Sequence, residues 1–104
     1  MEVTVALIGG KWKACIINHL NQGKQRPSEI KRFIPAASRR ALEIQLREME
    51  THGIIKKTIY PVMPPKVEYE LTDLGRSLLP LTLAMEEWGM AFRETFLEMN
   101  KNMP

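Results

Sequence analysis

Residues 28 to 53 read SEIKRFIPAASRRALEIQLREMETHG, and this stretch decides the fold. Ser28 is a suitable N-cap for a first helix over residues 29 to 34, which the following proline ends. Ser38 can cap a second helix, which is predicted over residues 39 to 52 and ends at a glycine. The stretch therefore predicts two short helices joined by a tight turn.

Each of these two helices has one apolar face. In the first helix the buried stripe is predicted to consist of Ile30, Phe33 and Ile34. In the second helix the apolar residues recur at positions i, i+4 and i+7, as Leu42, Leu46 and Met49. The opposite face of the second helix is therefore predicted to point away from the core.

Two β-rich segments follow, at residues 54 to 60 and 67 to 71. In the later segment, apolar and acidic residues alternate with the period of a half-buried strand. The connection over residues 61 to 66 contains three prolines, which supply no N–H group to a strand ladder. The pair is therefore predicted to form a β-hairpin with a stiff, protruding loop.

Apolar spacing also predicts helices on both sides of this unit. Upstream lie a short apolar segment at residues 3 to 8 and a helix from Lys11 to a stop at Gly23. Downstream, apolar residues that step by three or four predict one long helix, which begins at residues 72 to 73 and ends near Met99.

These elements define the fold class as mainly α with a small β-hairpin, a winged helix-turn-helix. The chain of 104 residues is long enough for one domain, with the helix-turn-helix at residues 28 to 52 and the wing at residues 54 to 71. Its apolar runs are far shorter than the roughly 20 residues of a membrane span. The single cysteine excludes an internal disulfide and favours a cytosolic protein.

The last helix poses a packing problem. A helix of about 27 residues is roughly 40 Å long, which exceeds the width of a domain of this size. Because its far half cannot be covered by its own subunit, residues 1 to 10 and 73 to 100 are predicted to be dimerisation helices. The predicted dimer interface consists of Val3, Leu7, Met85, Trp88, Phe92 and Phe96.

The net charge of +3 is unevenly distributed along the chain. Residues 11 to 66 contain twelve basic and four acidic residues, whereas residues 67 to 104 contain three basic and seven acidic residues. This distribution indicates a part that binds a polyanion, followed by a part with another role.

The second helix and the hairpin contain the residues that we expect to contact DNA. On the helix these are Ser38, Arg39, Arg40, Glu43, Ile44 and Arg47. On the wing they are Lys56, Lys57 and Lys66. Arginines can bind phosphates or the edge of guanine, and an outward isoleucine suits thymine methyl groups. The alternative is a solubilising charged face with one harmless exposed aliphatic residue.

Four segments give the sequence a resemblance to a known family. They are LIGGKWK at residues 7 to 13, IPAAS followed by LxxxLREMExxG at residues 34 to 53, YPVMPPKVEYELTDLGRSL at residues 60 to 78, and EEWG at residues 86 to 89. In their order and spacing they resemble the HxlR-type winged helix-turn-helix transcriptional regulators of bacteria and archaea, which are related to the MarR regulators. The resemblance implies a homodimer joined by its first and last helices. Its two recognition helices would enter successive major grooves of an inverted-repeat operator, with the wings toward the flanking minor grooves.

Many members of that family respond to electrophiles or oxidants through a cysteine just ahead of the first helix. The sequence begins at Met1 without such a cysteine, so this mode of sensing is not expected. Cys15 is predicted to be a buried structural thiol beside a surface histidine, His19. The alternative is a sensing thiol whose pKa is lowered by the nearby Lys11 and Lys13. Too few ligands accompany Cys15 and His19 for a metal site, and none is expected.

The sequence contains no arrangement that indicates catalysis, because its acidic pairs diverge or face solvent and it has no phosphate-binding glycine loop. We therefore expect a cytoplasmic protein that is not an enzyme and needs no cofactor. Its expected function is sequence-specific binding of double-stranded DNA as a homodimeric transcriptional regulator, acting as a repressor. The alternative is a winged helix that serves as a protein-interaction module without specific DNA binding. A small-molecule effector between the long helix and the core stays open, and the sequence does not identify it.

Overall fold

The computed structural model describes residues 1 to 101, which fold into six helices and one β-hairpin. In chain order the elements are α1 (Glu2–Ile8), α2 (Lys13–Leu20), α3 (Pro27–Phe33), α4 (Arg39–Thr51), β1 (Ile55–Tyr60), β2 (Lys66–Leu71), α5 (Asp73–Ser77) and α6 (Leu79–Lys101). The predicted fold class, mainly α with a small hairpin after the helix-turn-helix, is confirmed. Within residues 1 to 101, no helix is both long and apolar enough to cross a membrane.

The two helices of the deciding stretch are α3 and α4. Ser38 caps α4 as predicted, since its Oγ accepts a hydrogen bond from the backbone N of Ala41 at 3.0 Å. After α4 the chain turns at Gly53, whose φ of +73° lies in the region that favours glycine. The predicted start of α3 is wrong: Pro27 occupies the first helical position, where its missing N–H costs nothing. Ser28 therefore lies inside α3 and is not its cap.

The hairpin is antiparallel, with Ile55 opposite Leu71 at its base and Tyr60 opposite Lys66 at its far end. Residues 61 to 65 form the loop between the strands. Gln25, just ahead of α3, pairs with the middle of β2 through two backbone hydrogen bonds of 2.8 and 2.9 Å. This bridge attaches the hairpin to the helices and fixes the side on which the wing lies.

The single long helix predicted after the hairpin is wrong, because the chain forms two helices with a break at Leu78. The cause is Pro80, which cannot donate the hydrogen bond that would continue α5 into α6. Thr72 caps α5 by accepting a hydrogen bond from Gly75 N at 3.1 Å. Gly75 itself packs against the carbonyl oxygen of Ile54, which an added Cβ would approach within 2.2 Å. The long helix that remains, α6, has 23 residues and is about 35 Å long.

The core lies between α2, α3, α4 and the hairpin, and α6 packs on α2. Its fully buried apolar side chains are Ile16, Ile17, Ile30, Met49, Ile54 and Ile55. The predicted burial of Ile30 in α3, of Ile34 just after it, and of Leu42, Leu46 and Met49 in α4 is confirmed. Phe33 was predicted to be buried with them, but it is 49% exposed and stacks on the ring of His19 with centroids 4.2 Å apart.

The predicted burial of Cys15 and exposure of His19 are both wrong. Cys15 is exposed, and His19 is buried beneath Phe33. For Cys15 the reason is the rotation of α2, whose inward face contains Ile16 and Leu20, whereas His19, four residues after Cys15, is covered by the ring of Phe33. Cys15 precedes Ile16 by one residue and therefore lies about 100° away from it around the helix.

Candidate nucleic-acid interface

The outward face of α4 is arranged as the sequence indicates. Ser38, Arg39, Arg40, Glu43, Ile44 and Arg47 are all exposed. Ile44 is 43% exposed, whereas Leu42, two residues earlier, is 4% exposed and belongs to the core. An aliphatic side chain between arginines on a convex helix offers both apolar contact and positive charge. This combination matches the edges and backbone of a DNA major groove.

A cleft of about 290 Å³ separates α4 from the hairpin. Arg47 and Lys57 line it from opposite sides, together with Glu43, Glu50 and Tyr69. Burial raises the pKa of Tyr69, and the charges of Glu50 and Glu43 raise it further, with a smaller opposing effect of Arg47. The Tyr69 hydroxyl therefore stays protonated at neutral pH and can donate a hydrogen bond within this cleft.

The three wing lysines occupy different positions. Lys57 lies on the α4 side of β1, opposite Tyr69, whereas Lys56 lies on the other face of the strand, opposite Glu70. Lys66 is at the base of the loop, with its ammonium group 5.3 Å from the centre of the Tyr60 ring. The structure therefore brings Lys57 to the α4 side of the hairpin. In the strand register Lys66 shares the other face with Lys56, although it also borders the cleft between the loop and the start of α3.

Sequence reasoning missed basic residues on and beside α3. Lys31 and Arg32 line a cleft of about 480 Å³ together with Arg39 of α4. Arg26 lines another cleft, of about 580 Å³, between the start of α3 and the wing loop. The signal was present in the basic middle of the chain, between residues 11 and 66. These residues extend the positively charged surface from the recognition helix along the side of α3.

An ion pair between a buried lysine and an exposed glutamate joins α4 to α2. Lys13, at the start of α2, is 4% exposed, and its Nζ lies 2.7 Å from Oε2 of Glu48. The hydrogen bond and charge of Lys13 lower the pKa of the Glu48 carboxyl. Nearby, a Cβ added to Gly10 would lie 2.2 Å from Oε1 of Gln45, so the α1–α2 turn packs closely on α4. The orientation of α4 is thus fixed from the side of α1 and α2.

The predicted dimer residues are mostly exposed in the single chain. Val3, Met85, Trp88, Phe92 and Phe96 are between 44% and 72% exposed. Leu7 differs, since it is half-buried and packs against the core of its own chain.

Further apolar side chains lie on another side of α6. The stripe predicted from the sequence does not include the exposed Leu83, Met90 and Leu97. At about 100° per residue, these three lie nearly opposite the Trp88 and Phe92 stripe. The outer part of α6 is therefore apolar on two sides.

The thiol of Cys15 is not activated in the way its neighbours in sequence indicated. Desolvation raises the pKa of the thiol, and the charge of Glu86 raises it further. Lys11 lies over the ring of Trp12 at 5.0 Å, and Lys13 is paired with Glu48, so neither lowers this pKa. Among residues 1 to 101, no group of three or more histidine, cysteine or acidic side chains could hold a metal ion.

A capped outward helix, a supporting helix and a hairpin with lysines beside them define a winged helix-turn-helix of the nucleic-acid-binding type. The sequence model of the family described as HxlR-like helix-turn-helix matches residues 7 to 96 of this chain. The chain belongs to the HxlR-like family of helix-turn-helix transcriptional regulators, which confirms the resemblance and implies DNA binding.

Relatives and solved structures agree with this assignment. YybR of Bacillus subtilis (strain 168), an HTH-type transcriptional regulator, is 43% identical over 102 residues, which are 98% of this chain and 82% of YybR. A regulator of Methanothermobacter thermautotrophicus is 47% identical over 92 residues, which are 88% of this chain and 70% of the relative. The redox regulator HypR in its reduced form superimposes with a TM-score of 0.86 at 44% identity, covering 93% of this chain and 96% of HypR.

Proposed function

We propose that the protein binds double-stranded DNA sequence-specifically, as a homodimer on an inverted-repeat operator, and represses transcription there. The observation that carries this proposal is the outward face of α4, where the exposed Ile44 lies among Arg40, Glu43 and Arg47. The support lies in the combination, because an exposed aliphatic side chain among arginines offers apolar contact and positive charge on one face, as the major groove requires.

Each of these side chains has a chemical counterpart in the major groove. Arg39 and Arg40, at the start of α4, can donate to O6 and N7 of guanine or to phosphates. Ile44 can contact a thymine methyl group, and Glu43 can accept from the amino group of cytosine. Arg47 lies further along the helix, where it can bind the groove wall. Ser38 caps α4 and would lie beside the phosphate backbone of the DNA at the start of the helix.

The wing contributes phosphate contacts in this proposal. Lys57 lies on the α4 side of the hairpin and Lys66 borders the cleft between the loop and the start of α3, so both can neutralise phosphates that flank the major-groove contacts. Lys56 lies on the other face of β1 and is assigned the weakest contribution of the three. Arg26, Lys31 and Arg32 add positive charge on the side of α3.

The homodimer is supported by the two apolar sides of α6. One partner element packed on a single stripe would leave the other stripe in water, so we infer that α6 inserts between elements of the second copy. Val3 of α1 and the stacked pair of Trp88 and Phe92, with ring centres 4.7 Å apart, would lie at this interface. Leu7, which packs on its own core, would contribute mainly by fixing α1.

Duplex binding measured at several salt concentrations tests the DNA-binding proposal. With about three phosphate contacts per subunit, the slope of log K against log salt for the dimer should be about −5. Arg40→Ala should cost about 1–3 kcal/mol per half-site and relax the base preference there. Arg76→Ala removes an exposed arginine on α5 that is paired with Asp73, and it serves as the matched control.

The alternative function is a protein-interaction module whose basic face binds an acidic partner. It predicts equal, weak affinity for random duplexes and for duplexes selected by the protein, and no effect of Arg40→Ala on base preference. A selected duplex that binds no better than random DNA would contradict the regulator proposal.

We infer that Cys15, although exposed, is not the sensor of an oxidant. The raised pKa of this thiol supports the inference, because the thiolate is the reactive species. Because Cys15 is the single cysteine in the sequence, diamide should release DNA from neither the wild type nor Cys15→Ser. Loss of a diamide response in the variant would assign sensing to Cys15.

A further inference from the structure

The tip of the wing is apolar, although the surface around it is basic. Met63 is 94% exposed and Val62 is 51% exposed, both within the loop of residues 61 to 65. Prolines precede and follow this pair, and they restrict the backbone of the loop. The loop therefore presents an apolar tip to water. Because its backbone is already restricted, inserting this tip into a binding partner would cost little additional backbone entropy.

Beneath this tip lies the cleft of about 580 Å³ between the loop and the start of α3, whose lining is mostly apolar and includes two basic residues. Arg26, Ser28 and Lys66 line it together with Met63. Pro27 borders both this cleft and the one that contains Arg47 and Lys57, so the loop lies on the same side of the molecule as the outward part of α4. The charge of the cleft is complementary to a phosphate backbone, and the apolar tip is not.

We propose that the wing loop is a minor-groove wedge, in which Met63 enters between two base pairs while Arg26 and Lys66 hold the phosphates of the adjoining strand. The proposal rests on the DNA-binding function proposed above and adds to it a distortion of the DNA. Apolar side chains such as methionine and proline are the wedges of architectural minor-groove proteins, where they unstack a base step and kink the duplex. The cationic cleft supplies the electrostatic attraction that a bare apolar tip lacks.

A wedge at each wing has consequences for the operator. A partly unstacked step bends the duplex by roughly 20–90° toward the major groove. Pyrimidine–purine steps such as TA and CA/TG unstack most easily, so they should be enriched where the wings meet the flanks. The protein would then select bases outside the half-sites without hydrogen bonds to them.

The test uses the full chain and a duplex selected from a random pool by the wild-type protein, with 2-aminopurine placed at one flanking step at a time. Binding should raise the 2-aminopurine fluorescence at one step on each side, because unstacking relieves its quenching. Met63→Ala should abolish this rise and weaken binding about tenfold, since wedge insertion offsets part of the deformation energy. Met63→Leu keeps an apolar wedge and should restore the signal. Because Met63 is 94% exposed, neither variant should alter the fold.

Lys66→Gln is the second control. This variant should reduce the magnitude of the slope of log K against log salt by about 1 per subunit, because it removes a phosphate contact. It should leave the fluorescence rise at saturation in place, because the wedge is still present. Specific binding by the wild type without a fluorescence rise at any flanking step overturns the wedge and leaves the DNA-binding function intact. A rise that persists in Met63→Ala also overturns it. Failure of the wild type to select any duplex overturns the DNA-binding function itself.

Discussion

Glu48→Gln is expected to destabilise the protein more than Lys13→Met, although Glu48 is the more exposed partner of the ion pair. The side chain of Lys13 is 5% exposed and that of Glu48 is 47% exposed. Glu48→Gln leaves the ammonium group in the protein interior without its counter-charge. Lys13→Met leaves a carboxylate that water can reach, and the methionine fills most of the space of the lysine chain.

The magnitude follows from this asymmetry. A buried charge that loses its partner costs about 3–5 kcal/mol. Because water reaches the edge of this pair and a glutamine oxygen can still accept a hydrogen bond, we expect an unpaired Lys13 ammonium to cost about 2 kcal/mol. For Lys13→Met we expect less than about 1 kcal/mol, since both a charge and its desolvation are removed. With about 4–8 °C per kcal/mol for a domain of this size, the two melting temperatures should differ by at least about 4 °C.

Thermal unfolding followed by circular dichroism measures the difference, at one protein concentration because the melting temperature of a dimer depends on it. The double variant is the control: once Lys13 is methionine, Glu48→Gln should have almost no further effect. A Lys13→Met variant that is as unstable as Glu48→Gln, or a double variant in which both losses add, would refute the reasoning.

Three further predictions concern the pH dependence of stability, the reactivity of Cys15 and the cap of α4. Lys13 lowers the pKa of Glu48 from its ordinary value of 4.5, so this pair stabilises the protein above that pH and its contribution is lost as the pH falls through the folded-state value. The urea midpoints of wild type and Glu48→Gln should therefore converge in acid, and a gap that persists there would contradict this. Cys15 should react with iodoacetamide at neutral pH more slowly than a free cysteine, and Glu86→Gln should speed the reaction; an unchanged rate would exclude the effect of Glu86. Ser38→Ala should cost about 1 kcal/mol in urea unfolding, whereas Ser38→Asp should keep the cap and most of the stability.

Much of the fold could be predicted because its signals are local. The cap at Ser38, the stop at Gly53 and the alternation along β2 each depend on a few neighbouring residues. The break at Leu78 was local as well, since Pro80 cannot extend a helix that begins at residue 73. Apolar residues continue at helical spacing on both sides of Pro80, so the spacing alone predicts one helix.

Other features depend on contacts between distant parts of the chain. The ion pair between Lys13 and Glu48 joins the start of α2 to the end of α4, and no local sequence pattern indicates it. The burial of His19 depends on Phe33 lying over its ring. Arg26 becomes part of the candidate interface only because the bridge between Gln25 and β2 brings the wing beside α3. Such placements require the packed structure.

Selection of duplexes from a random pool by the purified full chain tests most directly whether two copies of this protein recognise DNA through α4. We expect an enriched inverted repeat whose half-site centres lie about 34 Å apart, one turn of the duplex. Arg40→Ala should blur one position in each half-site and leave the spacing unchanged. A pool without an enriched motif, or a single half-site without its inverted copy, would contradict sequence-specific binding by a two-fold dimer.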